Sequence, residues 1–206
     1  VNSAANGVLM IVLARYLLSP DQFGLLHYAL SIIGAVAILG ALGVPSAAAR
    51  YVTEFAETAP ERVRYVVRFS LLTAAALPVG IGSVVALGSP LIATQLDEPA
   101  LVPFLLLGFG YVILKAFYTT FSRLFQAVNR VEWSARMKSI SGVTRLGGAV
   151  ALVVVGFDAV GALAGYLIGF AAATAVGAIV FYRLSYTSFP ASDALPDGLR
   201  RRIVEY

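Results

Sequence analysis

The sequence predicts an all-α membrane protein with six transmembrane helices, and three observations carry that prediction. Of its 206 residues 59% are hydrophobic and 13% charged, with a mean hydropathy of +0.85, whereas soluble domains carry about 25% charged residues. Long stretches hold no charge: residues 69–96 have none, and in residues 23–49 His27 is the only side chain that titrates near neutral pH. About 20 helical residues rising ~1.5 Å each cross the ~30 Å hydrocarbon core. Finally, the alternation of apolar run and short polar break repeats along the whole chain.

The first segment, 1–18, lacks the basic start and small-residue cleavage site of a signal peptide and reads as a helix that begins abruptly. Asn2 and Asn6 stand one turn apart on it, either as cavity-lining amides or as interhelical hydrogen-bond partners. The chain also stops in an Arg-rich segment with no span after it, so it is expected to be part of a longer protein.

Ser19, Pro20 and Gln22 have the form of an N-cap, a first-turn proline and a capping-box partner. Helix two is therefore expected over 22–44, ended by Gly43 and Pro45. Residues 50–68 carry seven charges and read as a connector, with Thr58, Pro60 and Glu61 repeating the capping pattern before helix three at 66–88. Pro78 falls inside that helix and predicts a kink whose freed carbonyl is satisfied by neighbours. Ser70, Ala74, Pro78, Gly82 and Ala86 recur every four residues, a face that can approach another backbone closely.

An acidic break at 95–99 precedes helix four at 100–122, and a basic, partly amphipathic connector follows, with Trp133 where an interfacial aromatic belongs. Helix five is expected over 139–156, with Arg145 in its first half. Asp158 is read as the N-cap of helix six at 159–182, where Gly161, Gly165, Gly169, Ala173 and Gly177 recur every four residues and form the clearest helix-packing signature. Residues 1–182 thus make one six-helix unit, and 183–206 a polar linker ending in a short basic amphipathic segment.

Alternating six spans brings the three long connectors to one side. Every basic residue except Arg15 lies on or next to those connectors, while the opposite turns hold Asp21, Asp97, Glu98 and Asp158. The positive-inside rule then makes the connectors and both termini cytoplasmic. The same rule explains the net charge of +4 without a nucleic-acid partner, since the basic residues are spread over several loops.

With no cysteine and one histidine, and without metal-ligand spacing, a phosphate loop or a nucleophile constellation, the sequence predicts neither an enzyme nor a metal or cofactor site. Polar residues at membrane depth are the informative ones, because a charge at a span's centre costs about 2.5–3.5 kcal/mol on insertion scales. Arg15 either faces a central cavity to meet an anionic head group or snorkels to the interface. Tyr111, Lys115, Tyr118 and Ser122 share one face of helix four, extendable to Gln126 and Asn129. They either line a path in which tyrosines stack on sugar rings and Lys115 attracts phosphate, or form an interfacial belt. Arg145 faces the cavity or anchors the inner interface; His27, one turn from Ser31, is read as bonded to a neighbouring helix rather than as a proton relay.

The runs Ala14-Arg15-Tyr16-Leu17 to Asp21-Gln22-Phe23-Gly24, Leu42-Gly43-Val44-Pro45-Ser46 with Arg50-Tyr51, Phe125-Gln126-Ala127-Val128-Asn129-Arg130, and 156–166 (GFDAVGALAGY) resemble the polysaccharide-biosynthesis flippases of the multidrug/oligosaccharidyl-lipid/polysaccharide exporter superfamily. The resemblance covers essentially the whole chain. It implies one six-helix lobe, the first, of a two-lobe transporter that rocks around a cationic cavity and moves lipid-linked sugars across the cytoplasmic membrane. Its implied partners are membrane lipid, the lipid-linked glycan and a second lobe. In that setting Arg15 matches a cavity arginine of the peptidoglycan-precursor flippases, and Asn6, Tyr111, Lys115 and Tyr118 become candidate substrate contacts. Helix two has no arginine at its middle, where those relatives carry further cavity cations, so another polyprenyl-linked glycan is expected. Two rivals remain: a multidrug or small-cation exporter, which should hold acidic residues at depth, and a structural membrane subunit that transports nothing.

Overall fold

The computed structural model describes residues 2–189, with side chains from residue 7 onward. Among these residues the chain is helical throughout, with no strand. The elements are α1 (Asn2–Val12, continued by a π-helical turn Leu13–Leu17), α2 (Pro20–Ala41), α3 (Val44–Thr58), α4 (Pro60–Leu87), α5 (Ser89–Gln95), α6 (Val102–Ala127), α7 (Val131–Leu152, again followed by a π turn, Val153–Phe157) and α8 (Asp158–Leu184). Four helical stretches, Pro20–Thr58, Pro60–Leu87, Pro99–Ala127 and Val131–Ser188, are long and apolar enough to cross a membrane, and Gly7–Leu17 is a shorter apolar helix. Together with the composition, this makes the chain an all-α membrane protein.

Breaks of backbone handedness divide the first and last of those stretches. Leu42 and Gly43 both take left-handed torsions, φ 37° and 75°, which ends α2 at Ala41 and lets Pro45 sit in the first turn of α3. At the other division Gly156 has φ 103° and Asp158 φ 47°. The Asn129 turn between α6 and α7 works similarly. Asn tolerates its φ of 56° better than most residues, and the reversal lets the Arg130 amide donate to the Phe125 carbonyl at 2.9 Å. The Phe125–Arg130 motif is thus a helix stop.

The Ser19 cap forms as the sequence predicts: the Gln22 amide donates to Ser19 Oγ at 3.2 Å, and the Ser19 amide donates to Gln22 Oε1 at 3.1 Å. Ser19→Ala is expected to lower stability by about 1 kcal/mol, measurable as a shift in the thermal unfolding midpoint in detergent. Two other predicted caps do not form. Ala59, not Thr58, precedes α4, and the Thr58 hydroxyl donates to the Glu54 carbonyl instead. Asp158 makes no side-chain capping bond, because its backbone is bent away at φ 47°, ψ −141°.

Several boundaries move in a common direction. The charged connector 50–68 is helical on both sides of Ala59: α3 is amphipathic, burying Ala48, Val52 and Phe55 while exposing Arg50, Glu54 and Glu57. The third long helix starts at Pro60 rather than 66, and the fifth at Val131 rather than 139, while the fourth extends to Ala127 rather than 122. Hydropathy marks only the apolar part of a helix, and each of these continues into the polar zone. Pro78 lies in an unbroken α4, buried with Ser70, Ala74 and Gly82 on one face.

Antiparallel pairing of α7 with α8 is the most extensive contact in the fold. A β-carbon added to Gly161 would meet Leu152 and Phe157, at Gly165 Ala149, at Gly169 Arg145 and Ser141, and at Gly177 Met137. As one partner's number rises the other's falls, as two helices running in opposite directions require. Elsewhere Gly82 admits the Phe109 ring and Gly108 admits Ile33, which joins α4 and α2 to α6.

The connector end is defined by two bonds. Thr53 Oγ1 donates to the Ala127 carbonyl at 3.4 Å, and Arg64 Nε donates to the Tyr186 carbonyl at 3.1 Å. At the opposite end a groove of about 630 Å³ lies between the start of α2 and the start of α6, lined by Asp21, Tyr28 and Glu98.

Candidate substrate site at membrane depth

Three helices bring cations and rings together in the middle of the fold. Tyr111 and Lys115 are one turn apart on α6, and Lys115 Nζ lies 5.3 Å from the Tyr111 ring centre. Tyr166 of α8 is 6.4 Å from Tyr111, and Arg145 of α7 places its guanidinium carbon 4.9 Å from the Tyr166 ring centre. Phe170 meets Tyr111 edge-on at 5.4 Å and Tyr118 at 5.1 Å. The result is a continuous line, Lys115 to Tyr111 to Tyr166 to Arg145, braced by Phe170.

Helix packing sets this geometry. Gly169 lets α8 approach the α7 backbone at Arg145, so the side chains on either side, Tyr166 and Phe170, reach past α7 toward α6. Arg145, Tyr111 and Tyr166 are buried, and Lys115 is half-buried. Cations over ring faces recover up to about 2 kcal/mol when water is excluded, a large part of the insertion cost of each charge. Among the described residues no Asp or Glu falls at this depth: Asp21, Glu54, Glu57, Glu61, Asp97, Glu98, Glu132 and Asp158 sit toward helix ends or in turns. The potential around the line is therefore positive, the sign that attracts a phosphate.

The other predicted site residues go to different places. Tyr118 is buried against Phe170, and its hydroxyl has no hydrogen-bond partner among the described residues. Ser122 and Gln126 leave the line and both bond the Ser134 hydroxyl, at 2.7 and 3.1 Å, clamping α6 to α7 near the connector end. Asn129 forms the turn. Arg15 is exposed on the π turn after α1, apart from the buried line. The Asn6 and Asn2 side chains lie outside the described residues. His27 is exposed and tilted against Phe23 at 4.5 Å, and among the described residues it makes no bond to a neighbouring helix.

Sequence reasoning left the place of Arg145 open and missed Tyr166 and Phe170. With α7 starting at Val131, Arg145 lies about 20 Å along its helix. The signal for the two rings was their four-residue spacing beside Gly165 and Gly169.

A search among curated proteins finds no match. The family model described as "Polysaccharide biosynthesis protein" matches residues 2–203, nearly the whole chain. That match agrees with the motif resemblance to the exporter superfamily and supports a transporter-type role in polysaccharide production. The chain belongs to the polysaccharide biosynthesis protein family.

Proposed function

We propose that the protein works as one lobe of a flippase that carries a polyprenyl-phosphate-linked oligosaccharide across the cytoplasmic membrane by alternating access. The observation that carries this reading is the Lys115–Tyr111–Tyr166–Arg145 line at membrane depth, in a chain whose family makes polysaccharide. Cations attract the phosphate linkage and tyrosine faces suit sugar rings, while the lipid tail stays in the bilayer. A small-cation exporter would need acidic residues at that depth, and among the described residues the spans supply none. The reading involves no catalysis, cofactor or nucleic acid.

Rocking requires lobes that move as rigid bodies, and the tightly packed α7–α8 pair supports that. In this reading Arg15, exposed on the surface of this lobe, faces a cleft against a second lobe and meets the head group there. The basic connector end is assigned to the cytoplasm, together with both termini.

The test is Arg15→Ala and Lys115→Ala in the full-length protein, with surface glycan as the readout and membrane abundance as the control. Each variant is expected to lower export about tenfold or more, since charge-assisted bonds to phosphate are worth ~1.5–3 kcal/mol. A structural subunit would tolerate both changes.

A further inference from the structure

A groove of about 990 Å³ runs between α4, α6 and α8, distinct from the buried line of cations and rings. Its walls are hydrocarbon, including Leu71, Leu72, Phe117, Phe121 and Ile179, and its two charges are Arg68 and Arg183. Those arginines lie at one level. Arg64, one turn before Arg68, donates to the carbonyls of Tyr186 and Thr187, about one turn after Arg183. Because α4 and α8 leave that end in opposite chain directions, Arg68 and Arg183 flank the same mouth. From there the groove follows α4 to Ala75, about 10 Å into the hydrocarbon.

We propose that this groove holds an anionic phospholipid from the leaflet on the connector side, its phosphate between Arg68 and Arg183 and an acyl chain along α4 and α8. Among the described residues neither guanidinium makes an ion pair or a side-chain hydrogen bond, and two like charges at one mouth favour an anion between them. Charged mouth and apolar depth together match an anionic lipid. Stacking of Tyr182 on Tyr186 at 5.7 Å, and Arg64 over Tyr186 at 5.2 Å, fix the rim independently of any occupant. The chain's own segment after residue 189 is a weaker match, because its three acidic and three basic side chains offer the two arginines no net negative charge.

The test uses the full-length protein reconstituted in vesicles of equal parts phosphatidylcholine and phosphatidylglycerol, then extracted and examined for retained lipid by native mass spectrometry. Phosphatidylglycerol is expected to be retained in preference. Retention should fall roughly fivefold for Arg68→Gln or Arg183→Gln alone, and about 25-fold for both, at ~1 kcal/mol per surface cation. Arg62→Gln with Arg136→Gln, exposed arginines outside the groove, should leave it unchanged. Ala75→Trp, which fills the groove with both arginines intact, should also abolish retention. Equal retention of the two lipids, or loss that follows total charge in the control pair, overturns the proposal. So does efficient disulfide cross-linking of Ala75→Cys to Ile203→Cys in this cysteine-free chain, which would put the chain's own segment in the groove.

Discussion

Gly165→Leu is expected to abolish assembly of the helical unit, with little or no protein recovered folded from the membrane. A β-carbon at this position overlaps the backbone of Ala149, not the tip of a flexible side chain, so α7 and α8 would have to separate. Ordinary overpacking costs about 1–3 kcal/mol, and a backbone collision sits at or above the top of that range. With a total stability of about 5–15 kcal/mol, even Gly165→Ala should cost ~3 kcal/mol and lower the midpoint of thermal unfolding, followed by size-exclusion recovery. Gly147→Leu is the control: it adds a larger side chain on α7 where nothing lies within 4 Å, and should be close to neutral.

Arg145→Met is expected to lower glycan export by tenfold or more while leaving the protein in the membrane in normal amounts. Methionine keeps much of the side chain's apolar volume and takes away a charge that is costly at this depth, so the helix pair is expected to assemble. The contact of Gly169 with the α7 backbone at this position also remains. What is lost is the positive end of the line over Tyr166. Arg145→Lys keeps the charge but not the planar group that lies over a ring, and should recover part of the export. Loss of export with unchanged abundance, and partial recovery by lysine, separates a substrate contact from a packing role.

These two residues also mark how far the sequence could be read. The glycine stripe was legible because packing of membrane helices depends on small residues at fixed spacing, and Gly161, Gly165, Gly169 and Gly177 leave no other sensible use for that face. The cap at Ser19 was legible for the same local reason. Arg145 was ambiguous because its depth depends on where α7 begins, and the polar first turns from Val131 to Lys138 carry no hydropathy signal. Lys115 and Tyr111 were found on one helix, but their partners Tyr166 and Phe170 come from a helix some 50 residues away. Which rings of α8 meet α6 is set by the rotation of packed helices, which periodicity alone does not specify. Capping patterns at Thr58 and Asp158 misled because local backbone turns at Ala59 and Asp158 took precedence over side-chain chemistry.

The most direct measurement is lipid translocation by the purified full-length protein in vesicles, with a polyprenyl-diphosphate oligosaccharide placed in one leaflet and followed by its accessibility to an added glycosidase. Wild-type protein should carry the glycan across far faster than protein-free vesicles, and Arg145→Met and Lys115→Ala should bring the rate down toward that background. Translocation no faster than in empty vesicles, or equally fast in both variants, would contradict the assignment.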